Sequence, residues 1–269
     1  MSFVLSKEAR EEIAETFLAK NDVDFGCITK YEQKNIGLSN KLNVLLECGY
    51  SNTQVIESVV YHNITNFIQN SFFSALDKVA LLFNLATQRD LFYDENLKIL
   101  SDATHRHKLY FNPKSKREDL EKEIFNKLEM KIDSNRLTPV RQVLDELVMN
   151  AQLDAPKLST ARNVNQSVLI VERTDNLISI SVIDYYGTLD VKRFLKKIEG
   201  SLKLGQGDAI NYSQHKGGAG LGSSIIYNHS DMLLMGCKRL KITRVTSVLP
   251  YNISEKKFSS IQKSISIID

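Results

Sequence analysis

The sequence predicts an α+β protein. The expected architecture is a two-layer α/β sandwich with a mixed sheet covered on one face by helices, preceded by a mainly helical N-terminal domain. Beyond residue 117, β-rich runs and amphipathic helices follow the order strand, helix, strand, strand, loop, helix, strand, which is typical of this class. Before residue 105, apolar residues recur at three- and four-residue spacing, the period of a helix. At about 150 residues per domain, 269 residues form one large or two modest domains.

The N-terminal region, residues 1–112, is expected to contain helices and one short strand. Ser6 is a suitable N-cap for the first helix, and the second begins near Ser51 with a wide apolar stripe. The helices are placed over Lys7–Lys20, from Ser51 to Ile68, and after Phe73. The short strand is placed over Lys41–Leu46.

A basic stretch, His105–Arg117 (HRHKLYFNPKSKR), separates this region from the domain expected at 118–269. It contains Pro113 and loses the helical period, so we interpret it as a solvated linker. Contact with an anionic partner is the alternative interpretation of the same charges.

The C-terminal domain is expected to alternate strands and helices. Thr138 is a candidate cap for its first helix because Pro139 follows at the first helical position, and Thr174-Asp175-Asn176 joins two strands as a hairpin. The long polar stretch Gly200–Lys216 has no periodicity and is expected to be a loop. Strands are placed over Lys127–Ile132, Val168–Arg173, Leu177–Ile183, Leu240–Val245 and Lys263–Ile268, and helices over Leu137–Ala151, Val191–Glu199 and Leu221–His229.

Composition and charge exclude several classes of function. Lys and Arg number 35 against 32 acidic residues, and a net charge of +3 is too small to predict nucleic-acid binding. No run approaches 18 apolar residues and the N-terminus lacks the apolar core of a signal peptide, so no membrane association is expected. Cys27, Cys48 and Cys237 lie far apart, which favours reduced thiols over a disulfide or zinc site. We expect a cytoplasmic protein.

Three clusters of residues in the C-terminal domain could carry chemistry. Glu146 and Asn150, in DELVMNA, are four residues apart on a predicted helix and therefore share a face. A carboxylate and an amide can hold Mg²⁺, and a carboxylate can also orient an attacking water. Asp184 ends an apolar strand and Gly187 turns the chain after it, so its carboxylate could accept a hydrogen bond from an exocyclic amine. A solvated helix face and a turn-initiating Asp are the alternatives.

The third cluster is the glycine-rich run KGGAGLGSS, Lys216–Ser224, directly before an apolar helix. Glycines there allow close approach to a ligand, and a helix N-terminus offers unpaired N–H groups for phosphates. The run matches neither a Walker A loop nor a dinucleotide fingerprint, and a flexible hinge is the alternative.

The order and spacing of DELVMNA, VIDYYG and KGGAGLGSS resemble the Bergerat-fold (GHKL) ATP-binding superfamily, which includes DNA gyrase, sensor histidine kinases and MutL. The pattern is most similar to the histidine kinase-like ATPase domains of bacterial anti-sigma-factor serine kinases, and it covers roughly Glu118 to Val248. The resemblance implies ATP and Mg²⁺ as cofactors, with Asn150 as the metal ligand and Glu146 as the catalytic base. Asp184 would bind the adenine amino group.

The same resemblance assigns the remaining site residues. Gly187 would let the adenine approach, Lys216 would add a charge near the phosphates, and Gly200–Lys216 would form the lid. The phosphates would be wrapped by Gly218, Gly220 and Gly222. The resemblance implies a regulatory protein partner of the sigma-factor or anti-anti-sigma kind. Whether the protein forms a homodimer is left open.

Two departures from the family pattern leave alternatives to a serine/threonine kinase. The first glycine box reads Asp184-Tyr185-Tyr186-Gly187 instead of D-x-G-x-G, and Asp154 stands where sensor kinases place a basic residue. The protein could therefore be a catalytically inactive nucleotide-sensing or interaction module. A histidine kinase using His62, on a predicted amphipathic helix, is a further alternative, although no acidic residue follows His62 directly.

Overall fold

The computed structural model describes residues 2–5, 26–28, 43–46, 51–62, 65–68, 71–129, 137–159, 166–215, 221–250 and 263–268. Ten strands of these residues form one mixed sheet, in the order β2-β3-β1-β4-β10-β8-β9-β7-β6-β5. The strands are β1 Ser2–Leu5, β2 Gly26–Ile28, β3 Asn43–Leu46, β4 Asn66–Ile68, β5 His105–Phe111, β6 Ser167–Arg173, β7 Leu177–Asp184, β8 Met232–Lys238, β9 Ile242–Pro250 and β10 Ser264–Ile268.

Neighbouring strands run antiparallel from β5 through β6, β7 and β9 to β8. Beyond this meander, β10 runs parallel to β8 and antiparallel to β4, and β4, β1, β3 and β2 are parallel. The helices are α1 Asn52–His62, α2 Ala75–Thr87, α3 Arg117–Lys127, α4 Thr138–Met149, α5 Ala155–Leu158, α6 Val191–His215 and α7 Leu221–His229.

Both faces of the sheet are covered at its centre, because alternate residues of each strand enter different cores. Leu233 and Met235 of β8 pack with α1, α3, α4, α6 and α7 on what we call the helix face. Met232 and Leu234 point the other way, into a second core made by α2 and the segment 88–104. The α+β class and its mixed sheet with helices are confirmed, and the second layer adds to the expected helix layer.

Several predicted elements are found close to their expected positions. β3, β6, β7, β9 and β10 match predicted strands, and α2, α4 and α7 match predicted helices. The N-cap position of α4 is occupied by Leu137, which makes no side-chain cap, and Thr138 is already the first residue of the helix. The cap expected from Thr138 is therefore absent, while Pro139 lies in the first turn as expected. The predicted helix over Lys7–Lys20 lies outside the described residues.

Two interpretations of the N-terminal half are wrong. The helix expected to reach Ile68 ends at His62, and Asn66–Ile68 is a strand whose three residues are all buried. A fully buried strand has no alternation of polar and apolar residues, so its sequence cannot be told from a helix stripe. The basic stretch is also not a linker: its first seven residues form the edge strand β5, and Arg117 begins α3.

Three of the basic side chains of that stretch pair with acidic side chains within the fold. Arg106 pairs with Glu172 and Lys108 with Glu95 at 3.0 and 2.9 Å. Arg117 pairs with Asp145 at 2.7 Å. Lys114 and Lys116 are exposed, so contact with an anionic partner stays a prediction for this end of the stretch. The division at 112–118 stays a prediction, although β4 and β5 both pair with strands of the C-terminal part.

Two interpretations of the C-terminal half are also wrong. Lys127 ends α3, so the strand expected from Lys127 does not begin there. The stretch from Gly200 to His215 is helical and continues α6, which starts at Val191. Lys203 stabilises this helix, since its Nζ lies 2.6 Å from Glu199 one turn earlier and 2.8 Å from Glu57 of α1. β8 and α3 were not predicted.

Candidate functional site

Asp184 is the last residue of β7, and its side chain lies on the helix face. Alternation along the strand places it with Ile180 and Val182, which belong to the helix-face core. The carboxyl is 7% exposed, and its Oδ1 accepts hydrogen bonds from the N–H groups of Tyr186 and Gly187 at 3.0 and 3.3 Å. The side chain therefore organises the turn that follows it.

Burial raises the pKa of Asp184 to about 6, although the Tyr186 and Gly187 N–H groups and the Thr243 hydroxyl oppose the shift. Thr243 stands directly opposite Asp184 in the β7–β9 ladder. Its Oγ1 also lies 3.7 Å from the thiol of Cys237 on β8, so its single proton can serve only one of these neighbours at a time. Near neutral pH, Asp184 is a buried hydrogen-bond acceptor where β7 ends beside the start of β9.

Gly187 has a reason of its own to be glycine. Its φ is +60°, and a Cβ there would overlap the backbone of Lys241 and Lys238 in the β8–β9 turn. The Gly187 carbonyl also accepts the N–H of Leu240 at 2.8 Å. The glycine packs the turn after Asp184 onto a neighbouring hairpin. The role that the resemblance assigned to it, room for adenine, stays a prediction.

Glu146 lies on α4 and is seated against the start of α7. A Cβ on Gly222 would overlap Oε2 of Glu146, so the carboxyl touches the helix backbone there. This Oε2 atom is buried and makes no hydrogen bond with the residues that the structure describes. Burial, followed by the charge of Asp145, raises the pKa of Glu146, and Asp154 adds to the shift while Arg117 opposes it.

The first turn of a helix has N–H groups without intrahelical partners, and it carries the positive end of the helix dipole. Glu146 is thus a carboxyl with spare capacity to accept a proton, beside backbone donors suited to an anion. The sequence motifs singled out Glu146 and Gly222 separately, as catalytic base and as phosphate-binding glycine, and both of these roles stay predictions.

Asn150 lies where α4 passes into a π-helical turn, Asn150–Asp154. Such wide turns are frequent at functional sites. Gln152 fixes this turn by donating to the carbonyls of Asn112 and Ser115 at 2.9 and 2.8 Å. The Thr188 hydroxyl donates to the Ala155 carbonyl at 3.4 Å, which joins the loop after Asp184 to the end of the turn.

The predicted residues that the structure describes fall into two groups. Glu146 lies against Gly222, with Asn150 four residues after Glu146, and Asp184 and Gly187 share the turn at the end of β7. Both α4 and the π-helical turn contact β7. Lys216, Gly218 and Gly220 lie outside the described residues. The segment expected to be a loop-like lid is the second half of α6.

Sequence reasoning missed Thr243, because its place opposite Asp184 depends on strand register rather than on any local motif. Among the residues that the structure describes, no group of three or more His, Cys, Asp or Glu could hold a metal ion. An amide such as Asn150 with one carboxylate is still a donor set suited to Mg²⁺, which keeps several waters and takes few protein ligands. No helix within the described part of the chain is long and apolar enough to cross a membrane.

Comparisons with known proteins give little beyond this geometry. No protein-family model matches the chain, and no curated protein matches it. A chain of the crystal structure of the SiaB-SiaC complex from Pseudomonas aeruginosa is similar, with 18% sequence identity and a TM-score of 0.40. The match covers 64% of this chain and 99% of that chain. A likeness this distant carries no argument about function, so the proposal below depends on the residues themselves.

Proposed function

We propose that the C-terminal part of this protein binds ATP with Mg²⁺ and transfers its terminal phosphoryl group to a Ser or Thr hydroxyl of a regulatory protein partner. The observation that carries the proposal is the buried Oε2 of Glu146, which lies against Gly222 at the start of α7 and accepts no hydrogen bond from the described part of the chain. The arrangement and order of Glu146, Asn150, Asp184 and Gly222 support it.

In this proposal each described residue has one task. Asp184 accepts a hydrogen bond from the adenine amino group, and its burial makes that bond discriminating, because guanine presents a carbonyl oxygen in that position and would place two acceptors against each other. The first-turn N–H groups of α7 donate to phosphate oxygens. Asn150 would ligate the Mg²⁺, which neutralises charge on the phosphates when bound.

Glu146 acts as the base. As the acceptor hydroxyl oxygen bonds to the terminal phosphorus, the bond from that phosphorus to the bridging oxygen breaks and ADP leaves. The hydroxyl proton passes to the Glu146 carboxylate. The partly buried position of Glu146 raises its pKa, which makes it a better proton acceptor than an exposed glutamate.

The first experiment is thermal unfolding with increasing ATP and Mg²⁺ on wild type, Asn150→Ala and Asp184→Asn. A ligand at about 100 times its dissociation constant adds about 2.7 kcal/mol, which is roughly 5–10 °C for a domain of this size. We expect this shift in wild type and a much smaller one in both variants. Asn126→Ala is the matched control, because Asn126 is exposed on α3 and outside the site.

A second measurement separates binding from transfer. Glu146→Gln should still show the ATP-dependent shift but should lose ATP-dependent phosphorylation of a partner protein. If wild type shows no shift at millimolar ATP, the proposal is wrong. A shift without phosphoryl transfer would instead identify an inactive nucleotide-sensing module, and acid-labile phosphate on His62 would identify a histidine kinase.

A further inference from the structure

The face of the sheet opposite the candidate site is crossed by residues 88–104, which we call the strap. It starts with a 3₁₀ helix, Arg89–Tyr93, and buries Phe92, Leu97 and Ile99 against the strands. No motif predicted it. Its polar contacts with the sheet, however, reach the residue next to Asp184.

Buried charged side chains hold the strap in place. Glu172 of β6 is 1% exposed and accepts the N–H groups of Ile99 and Leu100, both at 2.9 Å. Arg244 of β9 is fully buried and donates to the carbonyls of Phe92 and Asp94 at 2.9 and 3.0 Å. The strap is therefore a fixed support and not a loose connection.

Glu95 is the strap residue that bonds to Tyr185, the residue directly after β7. Its Oε2 accepts the Lys108 ammonium and the Tyr110 hydroxyl, each at 2.9 Å, and its Oε1 accepts the Tyr185 hydroxyl at 2.6 Å. Burial opposes ionisation, but these donors together hold the pKa of Glu95 below its usual range. Its carboxylate is charged at neutral pH, so the short bond from Tyr185 is charge-assisted.

Tyr185 directly follows Asp184 and points to the other side of the sheet. Its ring packs with Val168, Ile170 and Ile183, away from the helix face. The end of β7 is therefore held from both sides of the sheet. On the helix face the Asp184 carboxyl bonds within its own turn, and on the opposite face the Tyr185 hydroxyl bonds to Glu95 of the strap.

We propose that Glu95 and Tyr185 are positioning residues that hold the Asp184 carboxyl in its adenine-binding place from the opposite face of the sheet. The inference rests on the proposed function for its adenine-binding part. Beyond the ladder, the turn after Asp184 is held by its own Asx-type bonds, by the Leu240 contact of Gly187 and by the Thr188 bond to Ala155. The Tyr185–Glu95 bond ties that turn to the strap.

The test compares Tyr185→Phe and Glu95→Gln with Tyr110→Phe. The control variant removes the same kind of hydrogen bond to the same carboxylate, but Tyr110 is half-exposed on the edge strand and does not adjoin Asp184. The first readout is the ¹³C NMR titration of the Asp184 carboxyl in the protein without nucleotide. Cys237 on β8 and Tyr186 are the titratable groups coupled to Asp184, so they are followed in the same spectra.

A turn released from the strap admits water to Asp184. Because burial is the main cause of the raised pKa of Asp184, we expect that pKa to fall below about 6 in Tyr185→Phe and Glu95→Gln. In Tyr110→Phe we expect it to stay at about 6. The second readout is the ratio of the ATP and GTP dissociation constants. We expect about a five- to tenfold loss of preference for ATP in the first two variants, in line with a lost charge-assisted bond, and no change in the control.

The outcomes separate the two proposals. If wild type binds neither nucleotide, the proposed function is wrong and the carboxyl titration alone decides the positioning role. If the Asp184 titration is the same in all four proteins, or if Tyr110→Phe shifts it as much as Tyr185→Phe, the positioning role is overturned.

Discussion

The buried charges behind the sheet and the carboxyl groups of the candidate site differ in how many of their partners are present. Behind the sheet, Glu172 and Arg244 each make four or more described contacts with polar partners, and Lys78 of α2 pairs with Asp231 at 2.7 Å with both side chains fully buried. At the candidate site, Glu146 has a buried oxygen that accepts no hydrogen bond from the described residues, and none of their cations contributes to the pKa of Asp184.

This difference indicates different purposes. A buried charge whose partners are all present is costly to disturb and acts as a fixed part of the fold. A carboxylate left short of partners costs stability in the unliganded protein and is retained where a ligand completes it. The comparison predicts that substitutions behind the sheet mainly lower stability, whereas substitutions at the site mainly alter binding.

The largest expected effect is at Asp231. Its Oδ1 accepts the Lys78 ammonium and the Ser71 hydroxyl, and its Oδ2 accepts the N–H of Phe73 at 3.0 Å. Lys263 is also buried, and burial lowers its pKa to about 8 while Asp231 opposes the shift. Asp231→Asn leaves two buried lysines without this carboxylate, so we expect a loss of about 3–5 kcal/mol in the free energy of unfolding.

Urea unfolding measures this loss. The matched control is Asp154→Asn, since Asp154 is exposed and should change stability by less than about 0.5 kcal/mol. Equal losses in the two variants would contradict the view that the layer behind the sheet carries the structural charges. Adding Lys78→Met to Asp231→Asn should recover part of the stability.

The next effect separates two glycines of the site. Gly187→Ala places a Cβ against backbone atoms and at a positive φ, neither of which can relax cheaply. We expect a loss of about 2–4 kcal/mol, from strain and overpacking together. Thermal unfolding without nucleotide measures it.

Gly222→Ala is the matched control for that loss. Its Cβ would meet only the end of the Glu146 side chain, which can swing away. The loss of stability should be below about 1 kcal/mol. A loss at Gly222 as large as the loss at Gly187 would show that the Glu146 carboxyl is a rigid part of the fold and not a group with freedom to act.

The sequence could predict elements whose signal is local. The strand before Asp184 and the helix carrying Glu146 and Asn150 were predicted because their periods are clear. The lack of periodicity over Gly200–Lys216 suggested a loop, but α6 continues to His215, because tertiary packing overrides local helix propensity. Lys203, which bridges Glu57 and Glu199, shows contacts that a single helix cannot reveal.

The missed site residues depend on distant pairing. Thr243 meets Asp184 only through the β7–β9 register, and Glu95 meets Tyr185 across 90 positions of the chain. Neither residue has a pattern of its own in the sequence. The contact of Glu146 with Gly222 could be predicted only in part. The motifs singled out both residues, but only the packing of α4 on α7 shows the carboxyl against the start of α7.

The smallest expected effect, and the one with the opposite sign, is at Asp184. Because burial raises the folded pKa of this carboxyl from 3.8 to about 6, the folded state holds its proton more tightly than the unfolded state. Ionisation of Asp184 therefore lowers stability above pH 6, and the penalty disappears as the pH falls through 4. Asp184→Asn removes the penalty, so we expect it to stabilise the unliganded protein at pH 7–8 by about 1–2 kcal/mol.

Urea unfolding at pH 7.5 and pH 4 checks the sign. The gain should be present at pH 7.5 and absent at pH 4, while ATP should stabilise only wild type. Thr243→Val is the matched control, because it removes a neighbour of the carboxyl and leaves the charge in place. It should lower stability at pH 7.5, since the Thr243 hydroxyl favours the ionised form of Asp184. If Asp184→Asn lowered stability at pH 7.5 instead, Asp184 would belong with Asp231, as a structural charge, and the contrast between the two faces would fail at the residue on which adenine binding depends.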